Sequence, residues 1–343
     1  MAEREKWIDW VKAFACILVV LGHFFQSMVM ANILPDNMLY HIENDTLYLF
    51  HVPLFFICSG YLYQRRSRVD SLRSWMANIG RKALNLGVPY FVFSIATWLL
   101  KKIFSGAVNT EAQGLVDTLF LHPSSPYWFL YALFFIFLIT PTFGSAQMTG
   151  IGLGAAVAMK ALALAGVKTG IQPLDYLLGN EIWFVLGMLL SRLNWKEKAG
   201  GVKGVCWAAL GLAFLVSSVV LHGENGVSPW IGFVLGLAAC FAVMGCVICL
   251  EKTGRKLPLL DALVPYTFPV FVMHTLSAAP VRALLQKVGV SSPLLHIPIG
   301  LAASFAVPII LAILMKKLVW PEFILYPGKF LKGNRRHENP VHQ

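Results

Sequence analysis

Charge is what this sequence has least of. Only 13% of its 343 residues are Asp, Glu, Lys or Arg, while 57% are hydrophobic. Soluble domains carry about 25% charged residues, so the chain falls in the membrane class. Acids are scarcer than bases, 17 against 28, leaving a net charge of +11. That excess does not point to nucleic acid. The bases sit in short segments between apolar runs, and no basic domain interleaved with aromatics stands outside them. Paired cysteine motifs are also missing: Cys246 and Cys249 are separated by two residues but have no second pair, as expected of a packed helix face. There is no HExxH and no carboxylate cluster beside a histidine, which argues against a metal enzyme. Flavin and nicotinamide sites lack their glycine fingerprint, and no Walker loop is present. Ser59-Gly60 has no GxSxG elbow around it and reads as a packing notch. No internal repeat or low-complexity linker breaks the chain. The first apolar run is too long for a cleaved signal, and no small-residue cleavage site follows it.

What is present is a series of ten apolar segments near the length that crosses a bilayer. They are 10–30, 46–63, 86–104, 127–145, 151–167, 177–191, 204–221, 229–250, 260–281 and 297–318. The expected fold is therefore all-α: a polytopic integral membrane protein of about ten transmembrane helices. Loops 31–45, 105–126 and 222–228 hold no Lys or Arg, whereas Arg65, Arg66, Arg68, Arg73, Arg81 and Lys82 crowd one of the alternate connections. The positive-inside rule then predicts both termini in the cytoplasm. Residues 1–326 are expected to form one transmembrane domain and 327–343 a basic cytoplasmic tail.

The first segment, "WVKAFACILVVLGHFFQSM", carries two bases in an otherwise apolar run. Lys12 and His23 are eleven residues apart, which at about 100° per residue puts them on one helix face about 16 Å apart. Asp9 falls near the same stripe. Ionisable groups inside a span are costly and face the bundle interior or a wet cavity. In the predicted topology His23 and His51 of "FHVPLFFICSGYL" lie at similar depth below the outer surface. The two histidines thus suggest a passage that is basic near the cytoplasm and lined by imidazole further out.

"KAFACILVVLGH", "FHVPLFFICSGYL", "PYWFLYALF" and "FPVFVMHT", in that order, resemble the acyltransferase type 3 family of bacterial integral membrane proteins. The likeness runs from Trp7 to about Lys317, and "WIDWVKAFACILVVLGH" is similar to the fucose 4-O-acetylase-like branch. The resemblance implies about ten helices in the bacterial inner membrane and an acyl-coenzyme A donor from the cytoplasm. The implied acceptor is a hydroxyl of a surface or lipid-linked carbohydrate. The family motif of Arg, ten residues and His falls on Lys12 and His23. Lys keeps the charge but lacks the bidentate fork of Arg. The family's Arg-x-x-Arg ahead of a proline is met only by Lys82 and Asn85, with Arg81 adjacent.

Acyl transfer to a hydroxyl needs a general base, and His is suited to that near neutral pH. His23 is the first candidate; His51 and Glu181 complete the catalytic set. Glu43 and Asp45 are the other acids that could orient His23. Lys12, Asp9, Arg65, Arg68, Arg81 and Lys82 are the candidates at the donor end, where point charges suit the phosphates of acetyl-coenzyme A. Tyr127, Trp128 and His274 are candidates for the sugar. No metal is expected, and membrane lipids are the other partner. Plainer roles stay open for several of these. His23 could hydrogen-bond between helices, and His51 could satisfy carbonyls opened by Pro53. Lys12 could snorkel to headgroups, and Tyr127 and Trp128 could belong to an aromatic belt. Arg65, Arg66 and Arg68 could be topology signals only, and His274 could make a buried hydrogen bond. The competing class is a secondary transporter or lipid-linked glycan flippase, which would be expected to show a repeat and paired broken helices.

Overall fold

The computed structural model describes residues 5–223 and 226–330. The chain is helical almost throughout, and the described residues form no strand beyond one isolated bridge, Gly223 to Gly226. In chain order the helices are α1 (Lys6–Met30), α2 (Met38–Tyr48), α3 (His51–Arg66), α4 (Leu72–Lys82), α5 (Val88–Ile103), α6 (Trp128–Ile139), α7 (Ala146–Leu164) and α8 (Gln172–Arg192). There follow α9 (Trp195–Gly201), α10 (Gly204–Val220), α11 (Pro229–Lys252), α12 (Pro258–Leu263), α13 (Thr267–Lys287), α14 (Pro293–Lys317) and α15 (Val319–Leu325). The chain is an all-α polytopic membrane protein.

All ten expected segments are helical, but they are not equal. Among the described residues eight helices, or continuous helix pairs, are long and apolar enough to cross a membrane, and a ninth is possible if α9 and α10, bent by 94°, count as one. The segment expected at 127–145 is only α6, twelve residues or about 18 Å, shorter than a hydrocarbon core of about 30 Å. It stops at Thr140 because Pro141 bars its predecessor from the helical region. Two stretches expected as loops are helical. Residues 38–48 form α2, which runs into α3 with a break at Leu49 and Phe50. Residues 72–82 form α4, started by a Ser71–Ser74 capping box and continued into α5 by a π-helical turn at 83–87.

Helix packing follows the small residues. α3 lies close against α8, where a Cβ on Gly60 would strike the Phe184 carbonyl and one on Gly187 would strike the backbone of Ile57 and Tyr61. Lipid offers no hydrophobic drive between helices, so such close backbone approach is what holds them. The core around this seam contains Trp7, Trp10, Phe56, Tyr61, Phe184 and Met188, all nearly fully buried. The opposite situation holds on α10, where Val205, Leu212, Val216 and Val220 are exposed along one face, the composition that lipid requires.

The ends of the bundle differ in charge. At one end Glu5, only 7% exposed, pairs with Arg65 Nε at 2.7 Å and lies 3.8 Å from Lys196, which also meets Glu251. We call this the basic end. The other end has base-free loops but is not free of bases. Lys101 donates to Thr110, and buried Arg282 donates to the carbonyl and hydroxyl of Ser27 near the end of α1. Of the expected tail, residues 327–330 fold back: Pro327 is buried and Gly328 lies against Asn85. The remaining 331–343 lie outside the described residues.

Candidate active site

His23 projects from the fifth turn of α1 towards the junction of α2 and α3, and its two ring nitrogens meet hydroxyl groups. Tyr48 Oη is 3.4 Å from Nδ1, and Ser125 Oγ is 3.2 Å from Nε2. Gln26 also lies within reach of the ring. Tyr48, the last residue of α2, and His51, the first of α3, stand one turn apart in T-shaped contact, ring centroids 4.7 Å apart. From α13 His274 stacks on His23 at 5.4 Å. Three of the proposed histidines therefore converge, although they come from three helices.

Their hydrogen bonds set them apart. A carbonyl can only accept, so His51 Nδ1, 2.5 Å from the Leu47 carbonyl, must carry a proton and donate it. His274 Nδ1 does the same towards the carbonyls of Val270 and Phe271. In the neutral rings the Nε2 atoms are then acceptors, and that of His274 is buried with no hydrogen-bond partner among the described residues. His23 faces hydroxyls instead, and a hydroxyl either donates or accepts. The geometry therefore allows either tautomer of His23.

A small, partly open cavity lies against this cluster. His23, Tyr48, His51, Pro126 and Trp128 line it, over an apolar floor that includes Val19 and Phe271. Trp128 stacks on Tyr176 with centroids 5.2 Å apart. Tyr127 turns away from the cavity. It is fully buried, with its hydroxyl donating to the Val272 carbonyl and in contact with Thr97.

The proposed acids stand elsewhere. Glu181 is buried on α8, where its Oε1 accepts from Thr140 Oγ1 at 2.7 Å and its Oε2 has no partner among the described residues. Asp45 faces His222 at 3.8 Å. The polar groups on His23 are thus the hydroxyls of Tyr48 and Ser125 and the Gln26 side chain. Neither hydroxyl stood out in the sequence: Tyr48 is simply one turn ahead of His51, and Ser125 lies in "HPSSP", far from α1 along the chain.

Towards the basic end, Lys12 faces α3 as His23 does, within electrostatic range of Asp9, Cys58 and Arg66. Lys82 lies in range of Lys12 and Arg81, its ammonium 3.7 Å over the Phe137 ring. Arg68 and Arg81 are exposed, and Arg65 is engaged by Glu5. The cavity reaches along α1 only to Val19, roughly 10 Å short of Lys12 by helical rise. Among the described residues no group of three or more His, Cys, Asp and Glu side chains is placed to hold a metal ion.

Comparison with known proteins identifies the family. The acyltransferase-domain family, acyltransferase 3, matches residues 5–313. The chain is 31% identical over 258 residues to Nodulation protein NolL of Sinorhizobium fredii, covering 70% of this chain and 67% of that protein. To Nodulation protein NolL of Mesorhizobium japonicum it is 27% identical over 208 residues, covering 60% of this chain. The matched stretch spans about half of that relative, 51% of its length. No solved structure matches the chain.

Proposed function

The chain belongs to the acyltransferase 3 family, and from that premise we propose that it transfers an acetyl group from acetyl-coenzyme A to a carbohydrate hydroxyl. In this reading residues 1–326 act as one transmembrane domain of a bacterial inner membrane, with the basic end in the cytoplasm. Lys12, Lys82 and the arginines around them receive the phosphates of the donor as point charges. The acceptor, a surface or lipid-linked glycan, approaches the mouth where Trp128 offers an aromatic face to a sugar ring.

The observation that carries the reading is the hydroxyl pair on His23. A base must lie within hydrogen-bond reach of the oxygen it deprotonates, and Ser125 shows that an oxygen fits at Nε2. The Nε2 acceptors of His51 and His274 suit hydroxyl donors, which a sugar has in abundance. Lys12 and His23 are separated by about three helical turns, a distance that a pantetheine arm can cover. Reaching the cavity from Lys12 requires the packing between Lys12 and Val19 to open.

The test uses the purified full-length protein in lipid nanodiscs, with acetyl-coenzyme A and a panel of glycan acceptors. Wild type releases free coenzyme A in step with acetylated glycan. His23→Ala lowers that rate by about 10²-fold or more, the loss of a general base. Lys12→Ala chiefly raises the KM for acetyl-coenzyme A. Donor binding undiminished in Lys12→Ala, or full turnover in His23→Ala, refutes the assignment.

A further inference from the structure

We propose that Ser125 is a catalytic nucleophile, which carries the acyl group as an ester between donor and acceptor. This inference rests on the acyl-transfer reading above and adds to it a covalent intermediate and its residue. Three groups stand in line: the Tyr48 hydroxyl, the His23 ring and the Ser125 hydroxyl, with contacts of 3.4 Å and 3.2 Å. An activated nucleophile needs this order, a hydroxyl on a base that a third group orients. When Nδ1–H donates to Tyr48 Oη, the Nε2 lone pair is left facing Ser125.

Accessibility supports the same assignment. Ser125 is exposed, and its neighbour Pro126 forms part of the cavity wall. The seryl oxygen therefore stands where both a cavity-bound thioester and a glycan from the mouth could reach it. Tyr48, the other hydroxyl on His23, is also exposed and lines the cavity, but it meets Nδ1, the nitrogen that orients the ring, rather than Nε2. An ester on Ser125 also answers a problem of space. Donor and acceptor approach from opposite ends, and a two-step reaction never needs both in the small cavity together.

In the first step Ser125 Oγ bonds to the thioester carbonyl carbon while its proton passes to His23 Nε2. The carbon–sulfur bond breaks, and the leaving sulfur takes the proton from Nε2 to become the free thiol of coenzyme A. In the second step the acceptor hydroxyl gives its proton to Nε2 as its oxygen bonds to the acyl carbon. The acyl–Oγ bond breaks, and Ser125 Oγ recovers the proton. No redox partner is involved, and the serine is regenerated.

The experiment incubates the purified full-length protein with radiolabelled acetyl-coenzyme A and no acceptor, then denatures it and maps the label. Wild type is expected to hold a stoichiometric acetyl group on the peptide containing Ser125, stable to detergent and released by hydroxylamine. Adding acceptor discharges it. Ser125→Ala loses the label and about 10³-fold or more of the transfer rate, as loss of a covalent nucleophile does. Ser125→Cys keeps a label that hydroxylamine removes far faster, as a thioester, which guards against a variant that merely fails to fold. Ser125→Ala transferring within tenfold of wild type, or label on Tyr48, overturns the inference. So does an unlabelled Ser125 in a preparation that acetylates glycan, and the function proposed above then stands. A wild-type protein that neither labels nor transfers overturns both.

Discussion

The three clustered imidazoles show how little a residue's type says without its partners. His51 and His274 have their Nδ1 protons directed at backbone carbonyls, so each is fixed as an acceptor at Nε2. His23 sits between two hydroxyls, each able to donate or accept, so its contacts allow either tautomer. If Tyr48 orients it, Tyr48→Phe removes one hydrogen bond worth about 1 kcal/mol. Steady-state turnover of acetyl-coenzyme A should then fall about fivefold, with KM for the donor unchanged, because the proposed place of the donor's phosphates, at Lys12, is some 16 Å away. Glu181, one of three acids the sequence offered to orient the base, accepts from Thr140 through Oε1. Lys12 keeps the charge of its position without a fork, and its neighbours Arg66 and Lys82 supply further positive charge.

Helices in this protein are placed as much by what is missing from their faces as by what is there. The α3–α8 seam closes only because Gly60 and Gly187 have no Cβ to strike the facing backbone. The same α3 begins with His51, so the seam also fixes that ring relative to α1. Gly60→Ala puts a carbon where the Phe184 carbonyl lies and forces the helices apart. We expect a loss of about 1–3 kcal/mol, the usual cost of overpacking, read as a lower thermal unfolding midpoint in detergent. Transfer activity should fall with it, since α3 carries His51. Across the break at Leu49 and Phe50, Tyr48 and His51 stand one turn apart, and Tyr48 reaches His23 of α1.

Across the whole molecule the two ends have different chemistry, and that difference predicts sidedness. Cysteines introduced at Thr110 and at Arg68 should react differently with a membrane-impermeant maleimide. Thr110→Cys is expected to label in intact cells, and Arg68→Cys only after permeabilisation; the reverse pattern would invert the topology. The Glu5–Arg65–Lys196–Glu251 cluster ties the start of α1 to α3, α9 and α11 at the basic end. The sequence by itself determined the membrane class, the helical segments and the family signature. These depend on local composition, because a bilayer demands long apolar helices wherever the chain crosses it. It also placed Lys12 and His23 on one face, since helical period is a local property. It missed the shortness of α6 and the helices in residues 38–48 and 72–82, where turn and capping geometry outweigh hydropathy. Only the tertiary structure decided what His23 meets. Its Ser125 partner is 102 positions along the chain, and His274 comes from α13. Such contacts arise from how the whole bundle packs, and no local pattern of residues encodes them.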